Sequence, residues 1–167
     1  MSRRVLPAVA VLLAVGTAGC GGDEEPDRDA LLPQEAAATA EIGLVDVPGL
    51  GPVLADDEGF VLYMFPPDAR SRVSCTGPCA GSWPPVAVAD GSTPEAGDGV
   101  DAALLGTLPD PNTGGQVVTY AGYPLYRYAG DVDPGTAHGQ ALLLNGAPWY
   151  VVDAAGQPLT TDPEGAP

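Results

Sequence analysis

Apolar positions along this chain recur in short alternating runs, not at helical spacing. Residues 52–55 and 60–65 read as strands. Asp56-Asp-Glu-Gly59 between them is turn chemistry, acid-rich and closed by a glycine suited to a left-handed position. Residues 116–120 and 123–128 form a second such pair around the tight turn Ala121-Gly122, with Pro124 at a strand start where its missing N–H does no harm. Within 62–65, alternation puts Tyr63 and Phe65 on one face and Leu62 and Met64 on the other. Both faces are apolar, so this strand is expected to be covered on both sides. A lone hairpin is marginal in water. The two are therefore expected to share a core with the runs Trp83-Pro-Pro-Val86 and Trp149-Tyr-Val-Val152.

The two strand pairs are copies of one unit. Glu58-Gly-Phe-Val-Leu-Tyr-Met-Phe-Pro-Pro-Asp68 aligns with Ala121-Gly-Tyr-Pro-Leu-Tyr-Arg-Tyr-Ala-Gly-Asp131 at a constant offset of 63. Gly59 matches Gly122, Leu62 matches Leu125, Tyr63 matches Tyr126, Phe65 matches Tyr128 and Asp68 matches Asp131. Trp83 and Trp149 follow, with three extra residues before the second. The duplication predicts an all-β, single small domain over 42–156. It is built from two tandem β-hairpin repeats, about 44–90 and 112–153, with pseudo-two-fold symmetry, and residues 157–167 read as a disordered tail.

Composition supports this class. Gly (23) and Pro (19) make up about a quarter of the 167 residues, which favours short strands and turns over long helices, and 45% hydrophobic residues supply a core. Charge narrows the partners. The chain has 22 acidic residues, 6 arginines and no lysine, for a net charge of -16. A nucleic-acid partner is excluded by phosphate repulsion, and direct docking to anionic headgroups is disfavoured for the same reason.

Residues 1–19 have the three parts of a lipoprotein signal peptide. Arg3 and Arg4 form a basic head, residues 5–15 an apolar run, and Ala18-Gly19-Cys20 a small-residue end. The apolar run is shorter than the about 20 residues a membrane span needs, so it reads as cleaved. The end matches a lipobox except for Thr17 where Leu is usual. Cys20 is then the lipidation site, which also avoids an exposed free thiol in an oxidising compartment. Residues 20–41 read as an acidic flexible linker whose Ala-rich part, 34–41, has the composition of a helical turn or two.

The motifs together resemble the secreted repeat lipoproteins, in which a tandem Tyr-x4-Asp unit follows a lipobox. The resemblance rests on Tyr63-Met-Phe-Pro-Pro-Asp68, Tyr126-Arg-Tyr-Ala-Gly-Asp131, Ser74-Cys-Thr-Gly-Pro-Cys-Ala80, Trp83-Pro-Pro85 and Gly130-Asp-Val-Asp-Pro-Gly135, and covers roughly residues 44–153. It implies architecture and location, and no settled activity comes with it. Ala141-Leu-Leu-Leu144 stands where the family carries a glycine-rich stretch, which implies a differently packed loop.

Candidate chemistry is sparse. Cys75 and Cys79 are about 13 Å apart in an extended chain, but Thr76-Gly77-Pro78 is a turn that closes such a gap, and an exported pair should oxidise. A structural disulfide, redox exchange and metal ligation are the three readings. Tyr63, Asp68, Tyr126 and Asp131 read either as a small binding site between repeats or as fold-maintaining groups, each Asp accepting backbone N–H bonds in its own loop. His138 is the single histidine, with Asp131 and Asp133 as its nearest acidic residues in sequence. Met64 is a candidate thioether ligand but is explained by packing. No hydrolase elbow, phosphate loop, zinc motif or calcium loop is present in the sequence. The expectation is a non-catalytic binding or interaction module without cofactor or metal. It is held by acylated Cys20 to the lipid of the outer face of the bacterial plasma membrane, with an envelope protein or small molecule as ligand. An envelope redox or metal-handling protein is the alternative, and a hydrolase the third reading.

Overall fold

A computed structural model describes residues 40–68 and 71–161. The signal, Cys20, the linker up to residue 39 and residues 162–167 lie outside the described residues. Repeat one opens with β1 (Glu41–Val47) and β2 (Gly51–Asp56), an antiparallel pair in register from Ile42 opposite Asp56 to Val47 opposite Gly51. The following turn is built by Asp56, whose carboxylate accepts the N–H groups of Glu58 (3.1 Å) and Phe60 (3.0 Å), while Gly59 takes the left-handed φ of 82°. The chain then returns along β2, with Leu62 N–H donating to the Leu54 carbonyl at 2.8 Å, and continues as β3 (Tyr63–Met64). After a short helix, α1 (Pro78–Ser82), come β4 (Ala87–Val88) and β5 (Glu95–Ala96), the latter pairing in parallel with the start of β1.

Repeat two follows the same course. β6 (Leu105–Pro109) pairs with β7 (Gln116–Tyr120), and the chain turns at Ala121 and Gly122, both at positive φ, into β8 (Tyr123–Pro124). Leu125 N–H donates to the Val118 carbonyl at 3.0 Å, the counterpart of Leu62 to Leu54. β9 (Leu143–Leu144), β10 (Ala147–Pro148) and β11 (Tyr150–Val151) complete the strands of the described residues. Each repeat is thus a three-stranded meander. The sequence reading found only its second and third strands. β6 escaped because Gly106 and Pro109 blur its alternation, and β1 because only Ile42 and Val47 of its seven residues are buried.

The repeats are joined where they meet and exchange their Trp-bearing segments. Tyr63 and Tyr126 swap backbone hydrogen bonds, N–H to carbonyl, at 2.9 and 3.0 Å. β11 pairs with β3, and the Val152 carbonyl accepts from Leu54 N–H at 2.8 Å. Reciprocally, Val86 donates to Leu125 (2.9 Å) and accepts from Val118 (2.8 Å). The segment after each meander therefore completes the sheet of the other.

This arrangement divides the interior in two. Val61, Tyr63 and Phe65 face an aromatic cluster with Trp83, Tyr126 and Trp149, whereas Leu62 and Met64 face an aliphatic cluster with Ile42, Leu54, Val118, Leu125 and Val152. The strand is covered on both sides, as its two apolar faces require. Residues 157–161 correct the expectation of a disordered tail. Leu159 N–H donates to the Val151 carbonyl at 3.0 Å, and the Gln140 side chain donates to the carbonyls of Leu159 (2.6 Å) and Thr161 (3.0 Å). The polar composition of this stretch hid that its backbone satisfies an open strand edge. No helix among the described residues is long and apolar enough to cross a membrane.

Candidate functional site

The Tyr-x4-Asp spacing has a local cause. Tyr sits on a strand, the aromatic residue two positions on shares its face, and a tight turn then brings Asp back into the interior. Asp68 N–H donates to the Phe65 carbonyl (2.9 Å) and Asp131 N–H to the Tyr128 carbonyl (3.0 Å), so the two turns match. The carboxylates do not serve their own tyrosines. Tyr63 Oη donates to Asp131 Oδ2 at 2.6 Å, and Tyr126 Oη donates to Asp68 Oδ2 at 2.5 Å. Each aspartate has a further donor pair from one downstream residue: Ser74 gives Asp68 Oδ1 its backbone N–H and its hydroxyl, and His138 gives Asp131 Oδ1 its backbone N–H (2.8 Å) and Nδ1 (3.2 Å). Ser74 and His138 are therefore equivalent parts of one device. His138 is 63% exposed, and its Nδ1 contact orients the ring rather than burying it.

The aromatic groups pack both within and across the repeats. Trp83 and Trp149 stack face to face, 4.0 Å apart and 2° from parallel. Tyr63 meets Trp83 edge-on at 5.3 Å, and Tyr126 meets Trp149 edge-on at 5.1 Å. Phe65 of repeat one stacks on Trp149 of repeat two at 4.3 Å, and Tyr128 of repeat two lies on Trp83 of repeat one at 4.4 Å. Offset and edge-on pairs of this kind contribute about 0.5–1.5 kcal/mol each beyond burial. Gly139 has to be glycine for this packing, since a Cβ there meets the Trp83 ring at 2.7 Å and the Tyr63 ring at 2.9 Å.

Both phenols are fully buried. Burial first, then the adjacent carboxylate, pushes the Tyr63 and Tyr126 hydroxyls far above the ordinary phenol range, against the opposing effect of the Gly139 and Cys75 amides. Burial likewise raises the Asp131 carboxyl, against the hydrogen bonds from Tyr63 and His138. Such groups hold one another and offer no free nucleophile. The sign of their linkage is definite. An unfolded tyrosine ionises near about pH 10, so the stability these phenols contribute is fully present below that pH and is lost as pH rises above it. Spectrophotometric titration is expected to show Tyr63 and Tyr126 silent until a cooperative alkaline unfolding above about pH 10. Gradual ionisation of all six tyrosines in a folded chain would contradict their placement.

Cys75 and Cys79 lie with Cα atoms 5.2 Å apart and sulfurs at bonding distance. Cys75 is buried beneath the Trp83 carbonyl, and Asn112 of repeat two clamps the loop by donating to the Cys75 carbonyl and accepting from Gly77 N–H, both at 3.1 Å. Asn112 is itself held by the buried Asp110. Met64 is buried in the aliphatic cluster. Its repeat-two counterpart, Arg127, instead reaches across to Asp56 and to Glu58 (2.5 Å) and covers the Phe60 ring at 5.0 Å. The sequence reading missed Asn112 and this ion pair; their one available signal was polarity next to turn residues. Among the described residues, no three His, Cys, Asp or Glu side chains gather as a metal site.

Two open clefts flank the repeat junction. One, of about 350 Å³, lies beside Arg127, Asp56, Asp57 and Pro84 to Ala87. The other, of about 270 Å³, lies beside Met64, Tyr123 and residues 156–158. The four motif tyrosines and aspartates line neither.

Comparison with known proteins agrees with the internal duplication. A family model described as a secreted repeat of unknown function matches twice, over residues 45–87 and 109–153. Nothing among the curated proteins or the solved structures matches the chain. With both repeats recognised and together spanning more than half its length, the chain belongs to this family of secreted repeats.

Proposed function

We propose that this chain is a lipid-anchored, non-catalytic module of the bacterial cell envelope. Its Tyr-x4-Asp motifs maintain a pseudo-two-fold fold, and its exposed surfaces meet a partner. The observation that carries this reading is the mutual consumption of the candidate site. Tyr63, Tyr126, Asp68 and Asp131 are buried and hydrogen-bonded to one another across the repeats, in the manner of structural groups. The exchange of backbone bonds, Trp segments and aromatic stacks supports the two-fold relation. The buried Cys75 and its clamp by Asn112 support a structural disulfide over redox exchange.

The anchoring is tested by expressing the full chain in a bacterial host and fractionating it. The expected result is a membrane-bound chain that begins at a diacylglycerol-modified Cys20, with Cys20→Ala left unacylated and carrying its uncut signal. An unacylated wild-type chain, or a Cys20→Ala variant that is still acylated, contradicts it. The non-catalytic part is tested with a panel of activated esters and peptides. Turnover that His138→Ala abolishes would revive the hydrolase reading.

A further inference from the structure

We propose that the cleft beside Pro84 to Ala87 is a strand-addition site that takes an extended, basic peptide segment of a partner protein. This rests on the reading of the domain as an interaction module and names the surface that would do the interacting. The carrying observation is a strand edge that no described residue pairs with, whose counterpart in the other repeat is closed by the chain itself.

In repeat two, the Trp149 segment is lined on its outer side by residues 157–159, running antiparallel with Pro158 opposite Val152. Leu159 N–H donates to the Val151 carbonyl and Asp153 N–H to the Gln157 carbonyl, both at 3.0 Å. Gln140 finishes the strip, accepting from Val151 N–H (2.9 Å) and donating to the Leu159 carbonyl (2.6 Å). Repeat one has the same inner bonds along its Trp83 segment. Arg127 donates to the Pro84 carbonyl (3.0 Å), Val86 donates to Leu125, and Val118 donates to Val86. Backbone groups alternate in direction along a strand. Hence the Pro85 carbonyl and both backbone groups of Ala87 point outward, the positions that Val151 and Asp153 fill in repeat two. Pro85 has no N–H, so no counterpart of Gln140 is needed. After Val88 the chain passes on to β5, which pairs with β1 instead of doubling back. The open edge borders the 350 Å³ cleft, and Ala87 is exposed.

The walls define the occupant. Glu41, Asp56 and Asp57 face the cleft with Arg127 as the one cation among the described residues, and Arg127 is already bound to Asp56 and Glu58. An incoming strand gains its affinity from main-chain bonds and its selectivity from side chains on the walls. Lysine or arginine on the segment complements these walls. A second copy of this chain, with 22 acidic residues and no lysine, does not.

The test uses the full, isotope-labelled chain and an end-blocked heptapeptide of alternating valine and lysine. The expected result is saturable binding with a shifted, exchange-protected Ala87 amide. Glutamate in place of lysine, or N-methylation of alternate peptide bonds, should weaken binding by about tenfold or more, as should Ala87→Pro. Glu41→Gln with Asp57→Asn should weaken binding by a smaller factor without disturbing the fold. Equal binding by the N-methylated peptide, an unmoved Ala87 amide at saturation, or no binding at millimolar peptide overturns the site. A concentration-dependent Ala87 shift without peptide overturns it in favour of self-association. Any of these outcomes leaves the Cys20 fractionation and the turnover screen unaffected, so the lipid-anchored, non-catalytic reading stands or falls separately.

Discussion

Trp149→Ala is expected to leave the chain at the edge of unfolding. Trp149 is fully buried and touches three aromatic partners drawn from both repeats: Trp83 at 4.0 Å, Phe65 at 4.3 Å and Tyr126 at 5.1 Å. Its indole N–H also donates to the Leu144 carbonyl at 3.2 Å. Truncating a buried tryptophan costs about 3–5 kcal/mol, against a total stability of about 5–15 kcal/mol for a domain of ordinary size. The stacked rings bridge the repeats, so the cavity cannot close by shifting one side chain. Urea unfolding measures the loss. The control is Leu143→Ala, at a position 70% exposed, expected to change stability by less than about 0.5 kcal/mol. A Trp149→Ala loss as small as that of the control would remove the aromatic cluster from the account.

Asp68→Ala is the second large effect, and it comes from polar groups. Asp68 is fully buried and accepts from Ser74 N–H, the Ser74 hydroxyl and Tyr126 Oη. Removing the acceptor strands the buried Tyr126 hydroxyl, and a buried donor left unsatisfied costs about 1–3 kcal/mol. Asp131→Ala should act alike on Tyr63, since His138, like Ser74, is exposed and water can replace the carboxylate there. Asp68→Ala and Asp131→Ala should therefore lower the urea midpoint by similar amounts. A much larger loss for one of the two would mean that the stranded tyrosine hydroxyl does not govern the cost.

The sequence made the units legible because both copies need the same local geometry. A strand-borne Tyr, an aromatic residue on its face and an Asp returned by a tight turn leave a fixed spacing, and the left-handed turns leave Gly59 and Gly122. The partner of each carboxylate was not legible. Tyr63 is followed by Asp68, and local bonding is the natural reading, yet the bond runs to Asp131. Identical motifs look the same on paper whether they pair within or between copies; the choice is made by packing of the Trp segments, which lies beyond local propensity. Residues 157–161 were misread for a related reason, since a polar stretch gains its order from backbone bonds to a distant strand edge. The same property separates the open edge at Ala87 from the closed one at Asp153, although both follow a Trp at the same distance.

The measurement that most directly tests this exchange is a pair of double-mutant cycles in urea unfolding. Tyr63→Phe combined with Asp131→Ala should show a coupling of about 0.5–3 kcal/mol, as expected for groups in contact. Tyr63→Phe combined with Asp68→Ala, two motif positions of the same repeat, should be additive within about 0.5 kcal/mol. Strong coupling inside the repeat, with additivity across it, would contradict the account.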